Sequence, residues 1–237
     1  MLKKFFDYIQ VFLPCYKRIK YTEYTLDNMD KNTYYENVQF YLLDDGSNDG
    51  TDELLRQFKE KRPNTIVKIY EKNEGLRFRL LEFFEKATAD YLVKIDNDCL
   101  FTLGWLEKLL KIKKESGIDL LAPDEIQADA AKRYGIFDEK TNCYMVSKSK
   151  AVGGLWICKR DLLKNVKFQQ CNSSGIRQAW NILLELRHQT ACSMAWTTKV
   201  KFEHLGHRTN FHELSIKTND YHAGYMQSIG RSLGRKK

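Results

Sequence analysis

Two acidic stretches carry the residue types best suited to chemistry in this chain. The first is DDGSNDGT, residues 44–51, and the second is DND, residues 96–98. Closely spaced carboxylates are hard oxygen donors, and such donors suit Mg2+ or Mn2+, which keep part of their water shell and complete it with substrate phosphates. Calcium competes for the first stretch, because Asp45, Ser47, Asp49 and Gly50 fall at positions one, three, five and six of a helix-loop-helix calcium loop. Position twelve excludes it, since that place needs a bidentate glutamate and holds Arg56. Taken singly, each stretch also fits a plain turn tied down by its own carboxylates.

The elements around these stretches decide how the carboxylates are presented. The run NVQFYLL, residues 37–43, is short, apolar and rich in strand formers, whereas Leu54, Leu55 and Phe58 give the following segment a helical stripe, with Thr51 or Asp52 as its cap. The first stretch is therefore strand, acidic loop, helix. In open α/β sheets ligands collect beyond the carboxyl ends of strands, where Asp44 and Asp45 stand. The second stretch follows a strand over residues 91–95. Side chains two apart in an extended chain share a side, so Asp96 and Asp98 point together and Asn97 points away.

The same alternation runs through the first half. Strands are expected at 8–13, stopped by Pro14, at 65–70 and at 118–122, with helices at 20–31, 51–60, 76–87 and 105–112. Strands alternating with helices of this length imply right-handed crossovers and a mainly parallel sheet with helices on both faces. After about residue 130 the rhythm changes to short strands at 143–146 and 154–158, a helix at 176–187 and a strand at 193–202, a smaller antiparallel portion. A last helix from about Asp220 repeats Tyr221, Tyr225, Ile229 and Leu233 every four residues. That stripe suits docking on the sheet, or a peripheral membrane contact assisted by the basic end.

Composition narrows the classes. With 237 residues, three prolines and no biased linker, the expectation is one domain over 1–237. Six cysteines form no CxxC pair or zinc spacing, so reduced and mostly buried thiols are expected. No run approaches the roughly 18–20 apolar residues of a membrane span, and no cleavage site follows the basic N-terminus, which gives a cytoplasmic expectation. The formal net charge of +8 favours an anionic partner, whether nucleic acid, acidic polysaccharide, phospholipid or nucleotide phosphates.

Taken in order, DDGSNDGT after a strand, KNEG at residues 72–75, ADYLVKIDND about fifty residues beyond the first acidic loop, GGLW at 153–156 and EHLGH at 203–207 resemble the GT-A glycosyltransferases. The first half is most similar to the family 2 group that uses nucleotide-diphosphate sugars. The resemblance covers residues 9 to about 115 through specific motifs, and the remainder through GGLW and the late histidine. It implies a Rossmann-like GT-A domain with a nucleotide-binding half over about 1–115, an acceptor-side half over about 116–215, and a C-terminal helix and basic tail over about 216–237.

Residue by residue, the resemblance implies that Pro14 closes the first strand beside the nucleotide and that Asp44 or Asp45 hydrogen-bonds the base and ribose. Arg79, with Arg77 second, contacts the donor. Asp96 reaches the ribose, or a metal through water, while Asp98 ligates Mn2+ or Mg2+ and His204, with His207 second, supplies a further ligand. Gly153 and Gly154 let a sugar approach the backbone. Structural alternatives stand beside these roles: His204 as a hydrogen-bonded strand end, Arg79 as the i+3 partner of Glu82, and the glycine pair as a strand bulge.

The resemblance also implies the reaction. A bound cation stabilises charge on the departing diphosphate, the sugar carbon becomes cation-like, and an acceptor hydroxyl attacks it. The acceptor is expected to be a saccharide or lipid-linked saccharide. The net charge raises a hydroxymethylated base in DNA as the runner-up, although no nucleic-acid motif accompanies it. One departure stands out. Inverting members commonly carry an acidic pair at the start of the helix after the GG strand, and here CNSSGIRQAWNILLELR has no acid before Glu185. Asp124 and Glu125 are acids without an assigned place, and the general base is left open. A non-catalytic nucleotide- or carbohydrate-binding module of the same fold is the alternative this departure supports.

Overall fold

Period-two and period-3.6 patterning in the first half resolves into an alternating series: β1 (Ile9–Cys15), α1 (Ile19–Asn32), β2 (Val38–Asp45), α2 (Thr51–Lys61), β3 (Thr65–Tyr70), α3 (Leu76–Lys86) and β4 (Tyr91–Lys94). There follow β5 (Cys99–Phe101), α4 (Trp105–Ser116), β6 (Leu120–Glu125), α5 (Ala130–Tyr134), β7 (Gly135–Asp138), β8 (Cys143–Val146), β9 (Trp156–Lys159), α6 (Arg177–Thr190) and β10 (Met194–His204). The computed structural model describes residues 7–34, 36–126, 129–169 and 177–205. The helix expected from Asp220, the basic tail and His207 lie outside the described residues.

These strands form one sheet in the order β3-β2-β1-β4-β9-β6-β10-β8-β7, with β5 pairing to β10. β1, β2, β3 and β4 are mutually parallel, and β10 runs parallel to β6. β9 is antiparallel to both β4 and β6, so the antiparallel portion also enters the middle of the sheet. The sequence permits this because Trp156, Ile157 and Cys158 are all buried, as a strand covered on both faces requires.

Alternation along the strands builds two cores. Ile9, Val11 and Leu13 point with Phe40, Leu42 and Val93 toward Leu26 and Met29 of α1, Leu55 and Phe58 of α2, and Trp105, Leu106 and Leu109 of α4. Phe12, Tyr41, Leu43 and Leu92 point the other way, toward Leu80 and Phe83 of α3 and Ile182, Leu183 and Leu186 of α6. Phe83 stacks on Phe12 at 4.6 Å between ring centroids and meets Tyr41 edge-on.

Several local expectations are corrected. β1 runs through Pro14 to Cys15 rather than stopping at the proline. The Ile9 N–H donates toward β2 and the Phe12 carbonyl accepts from Ile95, so by alternation the nitrogen of Pro14 faces the β4 side, beyond the last β4 residue, where no ladder bond is lost. α2 is preceded by Gly50 in the left-handed region at φ 89°, and Thr51 is its first residue rather than its cap. The capping acceptor is Asp49, which takes the Thr51 N–H at 3.1 Å and its hydroxyl at 2.6 Å. β9 begins at Trp156, leaving Gly153 and Gly154 in the preceding loop, not in a strand bulge.

Two measurements test this packing. Phe83→Ala removes a fully buried ring between two layers and is expected to cost about 3–5 kcal/mol, read from the urea midpoint. Burial raises the thiol pKa of Cys15, Cys99, Cys143, Cys158 and Cys192, that of Cys158 to about 12. Since the thiolate is the nucleophile, iodoacetamide at pH 8 should leave these five unmodified in the native protein and alkylate them after denaturation, as peptide mass mapping will show.

Candidate functional site

Both acidic stretches lie at the carboxyl edge of the parallel strands, on either side of β1. Asp44 and Asp45 are the last residues of β2, and alternation sends them to opposite faces. Asp44, at 3% exposure, accepts the Ser47 N–H at 3.2 Å and the Ser47 hydroxyl. Burial pushes its carboxyl pKa up, with the Ser47 hydrogen bonds working against this. Asp45 faces α3 and accepts the Glu74 N–H at 3.2 Å, the Gly75 N–H at 2.9 Å and Arg79 Nε at 2.7 Å. The Arg79 guanidinium lies 3.4 Å from the Tyr70 ring centre and also bonds the Lys72 carbonyl, Glu74 and the expected i+3 partner Glu82. Asp45 and Arg79 together fasten the KNEG loop to the end of β2. Pro14 pairs with Leu43, one step before Asp44.

The DND stretch is a turn between β4 and β5 instead of a strand end. Within this turn Asn97 donates to Thr22 Oγ1 at 2.9 Å. β5 pairs antiparallel with the end of β10, placing His204 opposite Cys99, and the Leu205 N–H donates to the Asp98 carbonyl at 2.7 Å. One Asp98 oxygen, Oδ2, accepts Arg18 Nη1 at 2.8 Å. The other, Oδ1, is buried and accepts no hydrogen bond among the described residues, with His204 Nε2 standing 3.3 Å away. Asp96 is held by Lys94 on one oxygen and pressed by Gly154 on the other, where a Cβ would come 1.7 Å from Asp96 Oδ2. Burial pushes the Asp96 carboxyl up, but the Lys94 ammonium, helped by His204 and Arg18, outweighs it and holds the pKa below the usual carboxylate value.

Asp96, Asp98 and His204 offer one ligand atom each within 4.8 Å of one another. Two carboxylate oxygens with one imidazole suit Mn2+ well, and Mg2+ less because of the nitrogen. The unbonded Asp98 Oδ1 is the donor such a cation would satisfy, so the residues fit the group.

A residue triplet joins the two stretches that sequence patterning did not single out. Lys17 donates its N–H to Ser47 Oγ at 2.7 Å, its carbonyl accepts Asn97 Nδ2 at 3.4 Å, and the Ile19 N–H donates to Asp49 Oδ2 at 3.1 Å. Between them Arg18 reaches Asp98. Lys17 and Arg18 both adopt the left-handed backbone, φ 56° and 66°, an uncommon conformation that tends to gather at functional loops. The only sequence signal was a pair of cations directly after the first strand.

The remaining candidates are placed elsewhere. Arg77 bonds Glu185 Oε2 at 2.8 Å and the Gln169 carbonyl, joining α3 to α6, so Glu185 is engaged away from the acidic turn. Asp124 is wholly buried at the end of β6, where Oδ1 accepts the Ala131 N–H at 3.0 Å and burial raises its pKa. Residues 170–176, in the segment lacking an acid, lie outside the described residues.

Comparison with known proteins bears on the family and the fold. The profile of Glycosyl transferase family 2 matches residues 10–181. Glycosyltransferase AglE of Haloferax volcanii is 26% identical over 165 residues, covering 67% of this chain and 51% of that protein. The minor teichoic acid biosynthesis protein GgaB of Bacillus subtilis is 26% identical over 181 residues, covering 72% of this chain and 20% of that protein. The chain thus spans about half the length of the first relative and a fifth of the second. Among solved structures, the mannosyltransferase PcManGT of Pyrobaculum calidifontis, in complex with GDP-Man and Mn2+, superposes with a TM-score of 0.67 at 18% identity, over 89% of this chain and 60% of that one. This likeness shows the GT-A fold.

Gly154→Ala tests the cluster's geometry. The added methyl must displace the Asp96 carboxylate, so Mn2+ half-saturation should rise about tenfold, the scale seen when a ligand's support is lost. Electron paramagnetic resonance of free Mn2+ gives the reading, and an unchanged binding curve would show that Asp96 is not a constrained part of the site.

Proposed function

We propose that this chain, which belongs to glycosyl transferase family 2, moves a sugar from a nucleoside-diphosphate sugar to a hydroxyl acceptor, using a divalent cation held by Asp96, Asp98 and His204. The observation that carries this reading is the meeting of two carboxylates of the β4–β5 turn with the imidazole at the end of β10, around a buried Asp98 oxygen that accepts no hydrogen bond among the described residues. GDP-Man and Mn2+ in the PcManGT complex support the pairing of a nucleotide sugar with a cation on this fold.

When bound, the cation supplies Lewis-acid stabilisation of the charge that builds on the departing diphosphate. Asp96, Asp98 and His204 would hold it, each offering one ligand atom. Asp44 lines the donor pocket on the β2 side, where it meets base or ribose. Asp45 and Arg79 act there by fixing the KNEG loop, since the Asp45 carboxylate already accepts three N–H donors. Arg18, Lys17 and Lys94 make the neighbourhood favourable to phosphate. No side chain is assigned as general base, because Glu185 is tied to Arg77 and Asp124 to the first turn of α5.

In this reading residues up to about 115 bind the donor and about 116–215 face the acceptor, with His204 returning from the second half to the first. The acceptor is a saccharide or lipid-linked saccharide, a class that the polymer named in GgaB supports. The expected location is the cytoplasm, where nucleotide sugars are made. Within the described residues no helix is long and apolar enough to cross a membrane.

A panel of UDP-, GDP- and dTDP-sugars with Mn2+ and mixed oligosaccharide acceptors tests the proposal. Release of nucleoside diphosphate should require the cation and fall at least about a hundredfold in Asp98→Ala. Full turnover in excess chelator would reject the cation's role, and donor binding without any turnover would identify a binding module.

A further inference from the structure

Each carboxylate of the acidic turn already carries a basic partner of its own. Arg18 Nη1 stands 2.8 Å from Asp98 Oδ2, their side chains 14% and 3% exposed, and Lys94, 2% exposed, is bonded to Asp96. Two anions are thereby matched by two cations, with Asp96 30% exposed and the other three side chains at 14% or less, a part-buried setting where charges act on each other more strongly than in water. A divalent cation arriving alone meets no net negative charge. It also finds one Asp98 oxygen engaged by a guanidinium.

The backbone around Arg18 is fixed from both sides, so any change of partner falls to its side chain. Lys17 and Ile19 are bonded to Ser47 and Asp49, and the Arg18 carbonyl accepts the Tyr21 N–H at 2.9 Å. Its guanidinium lies 4.3 Å from the Tyr21 ring centre, a cation–π contact that persists for small changes in where the guanidinium points. A guanidinium fork also matches phosphate oxygens as well as it matches a carboxylate.

We propose that Arg18 is a resident counter-ion for Asp98 that changes partners on loading: the divalent cation takes Asp98, and Arg18 turns to the donor's diphosphate. Cation and nucleoside diphosphate then load as a mutually dependent pair, because each removes the obstacle to the other. No bond is made or broken in this exchange. The inference rests on the reading of Asp96, Asp98 and His204 as the cation site, and it assigns to Arg18 a positioning role that the cluster alone does not imply.

Titration calorimetry of Mn2+ into the full chain, alone and with saturating GDP or UDP, tests the exchange. The wild type should bind Mn2+ weakly alone and at least about tenfold more tightly with the nucleotide, with the same factor appearing in nucleotide affinity when Mn2+ is present, as linkage requires. Arg18→Gln, which keeps a hydrogen-bond donor and loses the charge, should bind Mn2+ alone about tenfold more tightly, bind nucleotide more weakly, and lose most of the coupling. Arg18→Lys should restore the weak binding of Mn2+ alone. Unchanged or weaker Mn2+ binding in a folded Arg18→Gln protein, judged by its melting curve, overturns the exchange while leaving the cation site intact. Should Arg18→Gln fail to fold, equal Mn2+ affinity in the wild type with and without nucleotide overturns it instead. Absence of Mn2+ binding in the wild type even with nucleotide overturns the site and the exchange together.

Discussion

The acidic turn and the late histidine meet because of a three-residue ladder, Cys99–Phe101 against residues 202–204. An irregularity in β10 precedes that ladder. The strand follows β6 in register from Met194 to Thr197, then gains extra residues before Lys201 meets Asp124. A bulge of this kind bends a strand and sharpens its twist. Beyond it Lys201 and Phe202 rejoin the parallel ladder with β6, and Phe202, Glu203 and His204 pair on their other edge with β5. The extra residues shift every later position of β10 along its neighbours, and His204 is the last of them, beside the buried Asp98 oxygen.

Charge is distributed by the same economy of position. Asp45 with Arg79, Asp98 with Arg18, Asp96 with Lys94 and Glu185 with Arg77 are pairs in which at least one partner is almost fully buried. Buried ions survive only when paired and hydrogen-bonded, and such pairs add little net stability while making each partner costly to remove. Their value here is geometric. Asp45 and Arg79 set the loop at the end of β2, Arg77 and Glu185 set the approach to α6, and the pairs around Asp96 and Asp98 hold the carboxylates where a ligand can meet them.

Much of this was legible in the residues. The strands at 65–70 and 143–146 have the observed bounds, because each is a compact apolar run closed by polar residues. The two faces follow from alternation in YIQVFL and FYLL. DND and His204 stood out by residue type, and their meeting was expected from a resemblance, whereas its cause, the β5–β10 pairing, left no trace in a strand only three residues long. Arg18 was invisible for a different reason. An arginine after a strand has no periodicity to distinguish it, and its importance comes from a partner eighty positions away. Pro14 misled because a proline stops a strand only where its nitrogen faces a neighbour, and that depends on where β4 ends.

The insertion of β9 between β4 and β6 governs the order in which the molecule can assemble. As the chain leaves the ribosome, β4 emerges with one edge unpaired and β6 with both, because the two neighbours of β6, β9 and β10, lie later in the sequence. Unpaired edges recruit other chains, and pairings distant in sequence form slowly. The nascent protein therefore passes through a split sheet that β9 joins and only β10 completes, and this interval is the one in which a chaperone has most to protect.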